Sequence, residues 1–378
     1  MPGYELIGEE ERDLVSSIFE TNGGVLFGHG FDALRKRYLV KEFENNLAQF
    51  FSSKSAITTT SGTASIFCAL KSNNISYGDE VITQGFNFAA TAEAIYACNA
   101  KVVIADVDKN LFMSPESLKD KITSRTKAVI LVHMLGQGGN VYEIKEICKQ
   151  KKILFIEDNC ESFGAKVNNI LLGSLGDVGA FSFDHGKTLT TGEGGVVLTN
   201  NDKISDFVKA FRDHGHENNP LISRGIDNAL MPGFNYRMTE MQAAVGIEQL
   251  KKVEKLINLS FERFSILENA LKGKFTLRES SGIGKYQGNY DTFMILNLNQ
   301  KEIDKIIGIL IRNNFSTKNI PDAMKWHCSF YWEHLLEDEQ INNSLCTLNL
   351  LQKSIAIPIL VSKPLESYSK LADELFSL

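Results

Sequence analysis

The chain has 378 residues, 43% of them hydrophobic and 23% charged, with a formal net charge of −6. That acidic balance, without a run of Lys and Arg, excludes a general nucleic-acid binder, and no apolar stretch has the length of a transmembrane helix. The length suggests one large domain plus a smaller one. The opening "MPGYELIGEEERDLV" lacks the basic-then-apolar plan of a signal peptide, so a cytoplasmic location is expected. Six cysteines (Cys68, Cys98, Cys148, Cys160, Cys328 and Cys346) form no C-x-x-C pair. Zinc and iron–sulfur spacing is thus absent, and no metal is expected.

In chain order, short β-rich runs alternate with helical patterns from about residue 55 to 200. "SAITTT" leads into "SGTASIFCALKSN", and "DEVITQ" into "AATAEAIYACN". "KVVIADVD" precedes the Ser-Pro-Glu opening of "SPESLKDKI"; "KAVILVHML" precedes "VYEIKEICKQKK", and "ILFIEDNC" follows. Such alternation predicts βαβ units around a mainly parallel sheet, and near-continuous apolar strands predict a sheet covered on both faces. "GAFSF" and "GGVVLTN" read as two further strands. From residue 239 the period turns to three and four in "TEMQAAVGIEQLKKVEKLINLSFERFSILENALKG". "DTFMILNLN", "KEIDKIIGILIRNN" and "SIAIPI" then predict a smaller α+β unit. We place the boundary inside the long helix, with a large domain over 1–255 and a small one over 256–378.

Ligands of doubly wound sheets sit where strands end and helices begin. Ser61, Gly62 and Thr63 stand at one such junction, where free N–H groups suit an anion or simply cap a helix. Glu157 and Asp158 stand at another, as a turn, a metal ligand or a cofactor partner. The triplet Gly186-Lys187-Thr188 suggests a Walker A loop, but the position that should be its first glycine is Phe181. Lys187 follows Asp158 by 29 residues, enough for one connection and a strand, so both can reach one site. A phosphate cradle, a carboxylate and a lysine together suggest pyridoxal phosphate, which needs a lysine amine and an acid facing its ring nitrogen. His29, Arg35, Arg37, Arg224 and Arg237 are candidates to bind a substrate carboxylate or phosphate. His214, His216 and His327 are further candidates for substrate contacts.

The stretches "VKEFENNLAQFF", "TTSGTAS", "GFNFAAT", "VHMLGQ", "FIEDNCESFGA", "GSLGDVGAFSFDHGKTLTTGEGGVVLTN", "DHGH" and "GFNYRMTEMQAAVGIEQL" span residues 40–250. Through them the chain resembles the DegT/StrS-type sugar aminotransferases. The resemblance implies an α/β fold of the fold type I transferases, with a mainly parallel seven-stranded sheet in the large domain. It makes Lys187 the Schiff-base lysine and Asp158 the partner of the pyridinium. Gly62, Thr63 and Ser182 would hold the phosphate, and Phe88 would stack on the ring. Asn235 would reach the phosphate of a neighbouring subunit, implying a homodimer with shared sites. Glu161, where many relatives have Gln or His, would sit near the cofactor's phenolic oxygen. The implied reaction takes an amino group, with L-glutamate as donor, to a keto-sugar of surface polysaccharide or lipopolysaccharide synthesis. "MPGYELIGEEE" and "DHGHENNPLISRG" are also similar to enzymes that aminate an eight-carbon octulosonic acid, so a nucleotide-linked keto-deoxy sugar and an 8-oxo octulosonic acid both stay open. A dehydrating branch of the family has histidine in place of the lysine, so Lys187 favours transamination. A sugar dehydratase and a non-catalytic cofactor-binding regulator are the alternatives.

Overall fold

The computed structural model describes residues 3–219 and 221–378. Seven strands build the central layer: β1 (Ser55–Thr59), β2 (Glu80–Gln84), β3 (Lys101–Ala105), β4 (Thr126–Val132), β5 (Leu154–Asp158), β6 (Val178–Ser182) and β7 (Gly195–Thr199). Their order is β1-β7-β6-β5-β4-β2-β3. All run in one direction except β7, which lies antiparallel to both β1 and β6. The expected mainly parallel, seven-stranded sheet is therefore present.

Successive strand side chains point to opposite faces, and here both faces are buried. Ala128, Ile130 and Val132 of β4 join a core with helices Gly62–Lys71 and Ala89–Ala97. Val129 and Leu131 join a separate core with helix Val141–Lys151. The continuous apolar run "AVILV" is the direct consequence of this double coverage.

Helix Glu240–Leu271 opens on a capping box between Thr239 and Gln242 and runs unbroken through residue 255. Its early residues Ala243, Ala244, Ile247 and Val253 pack with the large sheet, whereas Phe264, Leu267 and Leu271 pack with a second, antiparallel sheet. That sheet has the order β8 (Thr276–Leu277), β9 (Thr292–Leu296), β10 (Ile355–Pro358), and helices Gln300–Arg312 and Leu365–Phe376 cover it. Between them the chain returns to the large core through Ile320, Cys328, Trp332 and Leu336. This return brings C-terminal residues to the carboxyl ends of the parallel strands. Among the described residues, no helix is long and apolar enough to cross a membrane.

Candidate active site

A cavity of about 410 Å³ opens at those carboxyl ends, lined by Gly62, Thr63, Phe88, Asp158, Glu161, Ser182, Lys187 and His327. The strand-to-helix junction after β1 forms one wall. Ser61 caps helix Gly62–Lys71 by accepting from Ala64 N at 3.1 Å, so the amides of Gly62 and Thr63 head the helix beside the cavity. Gly62 has no room for a side chain: a Cβ there would lie 2.8 Å from both Ser182 Cβ and Cys160 Sγ.

Asp158 is the last residue of β5, on the same face as Ile156. Its carboxylate accepts from Thr91 Oγ1 at 2.7 Å and from Cys160 N at 3.1 Å, leaving it fixed and aimed. Glu157 faces the other way. It is fully buried and accepts from the amides of Gly173, Leu175 and Gly176 at 3.0, 2.7 and 2.7 Å, with His133 Nε2 at 3.1 Å. Burial alone would raise its pKa, but His133 and those amides outweigh burial and lower it. The acidic pair thus divides into a structural anchor and a site residue.

Lys187 is carried on the turn between β6 and β7. Asp184 shapes that turn by accepting from Gly186 N at 2.9 Å on its carboxylate and from Lys187 N at 3.0 Å on its carbonyl. Further along, Gly192 has φ +82°, a conformation that favours glycine. Lys187 Nζ lies 3.6 Å from Glu161 Oε1. Burial works to lower the lysine's pKa, but Glu161, with Cys160, Asp184 and Asp158, outweighs it and raises the value above the ordinary one. Burial likewise works to raise Glu161, but Lys187, then Lys318 and His327, hold it down at about 2. Glu161 Oε2 also accepts from Leu135 N at 3.2 Å. The lysine is therefore an ammonium paired with a carboxylate in this state.

Phe88 is 43% exposed into the cavity, with the His327 ring 5.2 Å away. Thr91 and Asn319 line the same cavity, with Lys318 next to Asn319 in the chain, and none was found from the sequence. Thr91 looks like any helix residue, and Lys318 and Asn319 sit in "FSTKNIPDA", beyond the motifs that carry the resemblance.

Other expected site residues lie elsewhere. His29, Arg224 and Arg237 converge on Asp213: His29 Nε2 is 3.3 Å from Oδ2, Arg237 donates to Oδ1 at 2.5 Å, and Arg224 engages both oxygens. Burial would raise the Asp213 carboxyl, but His29 and Arg224 outweigh it and hold it far below the usual range. Asn235 is exposed and bridges Asp213 through the backbone. Arg35 departs furthest from the expectation for a substrate arginine: its guanidinium is buried, 3.5 Å from Glu240, and donates to Phe27 O at 2.7 Å. Arg37 pairs with Glu42 at the surface, and His216 pairs with Asp227 at 2.6 Å. His214 takes a left-handed conformation, φ 56°, in the same loop.

The cavity fits pyridoxal phosphate. It offers a glycine-opened helix N-terminus for a phosphate, an aromatic face, a fixed carboxylate and a lysine amine, and a Cβ at Gly62 would obstruct the phosphate end. Residues 32–374 match the DegT/DnrJ/EryC1/StrS aminotransferase family. The chain is 32% identical to the GDP-perosamine synthase of Vibrio cholerae over 82% of each protein. It is 33% identical to the GDP-4-keto-6-deoxy-D-mannose 3-dehydratase of Escherichia coli O55:H7, over 58% of this chain and 62% of that one. Its fold matches the X-ray structure of the aminotransferase from Psychrobacter cryohalolentis with a TM-score of 0.84 at 24% identity, over 98% and 97% of the two chains. The chain belongs to the DegT/DnrJ/EryC1/StrS aminotransferase family.

Proposed function

We propose that this protein transfers an amino group from L-glutamate to a keto-sugar, a nucleotide-linked keto-deoxy sugar or an 8-oxo octulosonic acid, in the cytoplasm, for surface polysaccharide or lipopolysaccharide. One observation carries the reading: Lys187 stands in the same cavity as Asp158 and the Gly62–Thr63 helix start. The similarity to a GDP-perosamine synthase over four-fifths of the chain supports a nucleotide-linked sugar. A dehydratase is the second reading, favoured by the similarity to the E. coli enzyme. Lysine rather than histidine at position 187 weighs against it.

Bound pyridoxal phosphate supplies an aldehyde that takes up an amine and a ring that accepts the electron pair released at the neighbouring carbon. The chain's own residues do the rest. Gly62, Thr63 and Ser182 would hold the phosphate through amides and a hydroxyl, and Phe88 would cover the ring. Asp158 holds positive charge on the ring nitrogen, because an anion fixed there favours the protonated form. Lys187 Nζ, once free as an amine, takes the proton from the donor's carbon and returns it to the sugar's. Glu161 keeps that nitrogen basic. Asn235 serves the site of a second copy in a homodimer, a reading supported by exposed apolar side chains in the stretch that leads to it: Leu221 is 89% and Ile226 74% exposed, and Leu230 and Phe234 are exposed as well. We propose the division into large and small domains at residue 255 on the change of partner along the long helix.

The experiment is a panel of keto-sugars, GDP-4-keto-6-deoxymannose and an 8-oxo octulosonic acid among them, incubated with the protein, pyridoxal phosphate and L-glutamate. Mass spectrometry should show an amino sugar and an equal amount of 2-oxoglutarate. A product that loses oxygen and gains no nitrogen would establish the dehydratase instead, and no product with any substrate would favour a regulator.

A further inference from the structure

Glu161 follows β5 and Lys187 follows β6, and their charged atoms stand 3.6 Å apart, beyond hydrogen-bonding distance. A lysine ammonium rides on a long flexible stem, so the pair depends on where the two backbones that carry it are placed. Glu161 is carried by the turn Met134–Gly136: Leu135 N donates to Glu161 Oε2 at 3.2 Å and Gly136 N to Glu161 O at 2.9 Å. Leu135 is buried in a left-handed conformation, φ 56°, which a bulky side chain keeps only when its surroundings fix it. Residues of the C-terminal half supply that fixation. Arg278 donates to Met134 O at 2.8 Å, and Asn289 N donates to Gly136 O at 2.9 Å.

Asn289 also reaches the backbone that carries Lys187. Its side chain is 1% exposed and donates through Nδ2 to Thr188 Oγ1 at 3.0 Å and to Phe163 O at 3.4 Å. Among the described residues the Thr188 hydroxyl has no other hydrogen-bond partner. Asn289 Oδ1 accepts from Asp291 N at 3.2 Å, which turns the amide's donor end towards Thr188.

We propose that Asn289 is a positioning residue: bound to Thr188 by its side chain and to Gly136 by its backbone, it sets the distance between Lys187 and Glu161. The relevance to catalysis rests on Lys187 being the cofactor lysine. Asn289 acts through the residues that carry the two charges. Both carriers are loops, which move more freely than the sheet behind them, and Coulomb attraction falls as the charges separate. Cys160, Asp184 and Asp158 also face the lysine, each with a smaller effect than Glu161. Asp184 travels with the lysine's own turn, whereas Glu161 is placed by a separate one. The amide is uncharged, so the clamp holds equally whether Lys187 is an ammonium or a neutral amine.

The test labels the cofactor-free protein with trace acetic anhydride across a range of pH and reads Lys187 by peptide mass spectrometry. Only the neutral amine reacts. Glu161 holds Lys187 as an ammonium, so a wider separation should lower the pH of half-maximal labelling. Thr188→Val keeps the shape and removes the acceptor, and Asn289 Nδ2 retains Phe163 O. It should give about tenfold more labelling at a fixed pH below the midpoint, the change that one pH unit produces. Thr188→Ser, which retains the hydroxyl, should match the wild type. Adding Asn289→Ala to Thr188→Val should change nothing further, because both remove the same bond. Lys252, paired with Glu10 and Glu11, is the control and should label as in the wild type. An unchanged midpoint in Thr188→Val, or an equal fall at Lys252, would overturn the proposal. Where Asn289→Ala prevents folding, the two Thr188 variants decide alone. Absorption of the wild-type protein on adding pyridoxal phosphate reads the cofactor assignment separately, so the two failures are distinguishable.

Discussion

Glu157 and Asp158 are neighbours in the chain, yet one anchors a loop and the other faces the cavity, because side chains of a strand alternate between faces. Asp158→Asn keeps the shape and the hydrogen-bonding reach while removing the charge. It should leave pyridoxal phosphate bound and lower kcat by about 10²-fold or more, by analogy with the loss of one charge-stabilising group elsewhere; unchanged kcat would return Asp158 to a purely structural role. Lys187→Ala removes nucleophile and proton carrier together, so kcat should fall by about 10²–10⁴-fold, and borohydride should no longer fix the cofactor to the chain. Glu161 supplies a pH signature in the cofactor-free protein. Its folded pKa, about 2, lies below its ordinary value of 4.5. The stability it contributes is therefore present above 4.5 and lost as pH falls towards 2. Denaturant midpoints measured across that window should fall more steeply in the wild type than in Glu161→Gln.

Helix Gly62–Lys71 shows how an element can be specified by what it must leave empty. Ser61 is a common N-cap, so the sequence "SGTAS" equally describes an ordinary helix start. The sheet beside it makes the difference, since β6 and Cys160 approach too closely for a side chain at position 62. Gly62→Ala should therefore destabilise the fold by about 1–3 kcal/mol through overpacking. The same change should weaken cofactor uptake, measured by equilibrium dialysis against pyridoxal phosphate. Equal affinity in Gly62→Ala and wild type would detach this helix from phosphate binding. The turn that carries Lys187 is supported from the N-terminal side as well: Tyr4 stacks on His185 with ring centroids 4.9 Å apart, and a Cβ on Gly3 would lie 2.5 Å from Lys187 O.

At the scale of the whole molecule, Asn235 and the Asp213 cluster are not among the residues lining the cavity that holds Lys187, and the stretch of chain before Asn235 exposes the apolar side-chain surface of Leu221, Ile226, Leu230 and Phe234. If that surface meets a second copy, chains carrying Lys187→Ala and Asn235→Ala, each inactive alone, should regain part of the activity when mixed and allowed to exchange subunits. No regain, with exchange confirmed by mass spectrometry, would place Asn235 in a purely intrachain role. The strands and helices, their alternation and the residues at the strand ends were legible in the sequence, because hydrophobic period, caps and glycine positions are local properties of the chain. Lys187, Asp158 and the Gly62 junction could be picked out for the same reason. Thr91 and Asn319 could not, since nothing local marks them and they reach the site only when helix Ala89–Ala97 and the segment after β9 fold over the sheet edge. Nor could the sequence tell Arg35, an internal partner of Glu240, from an arginine free to bind substrate. The sequence by itself determined the layers and the chemistry on offer; the tertiary structure alone decided which charges share one buried volume, because electrostatic partnership depends on distance and burial rather than on order along the chain.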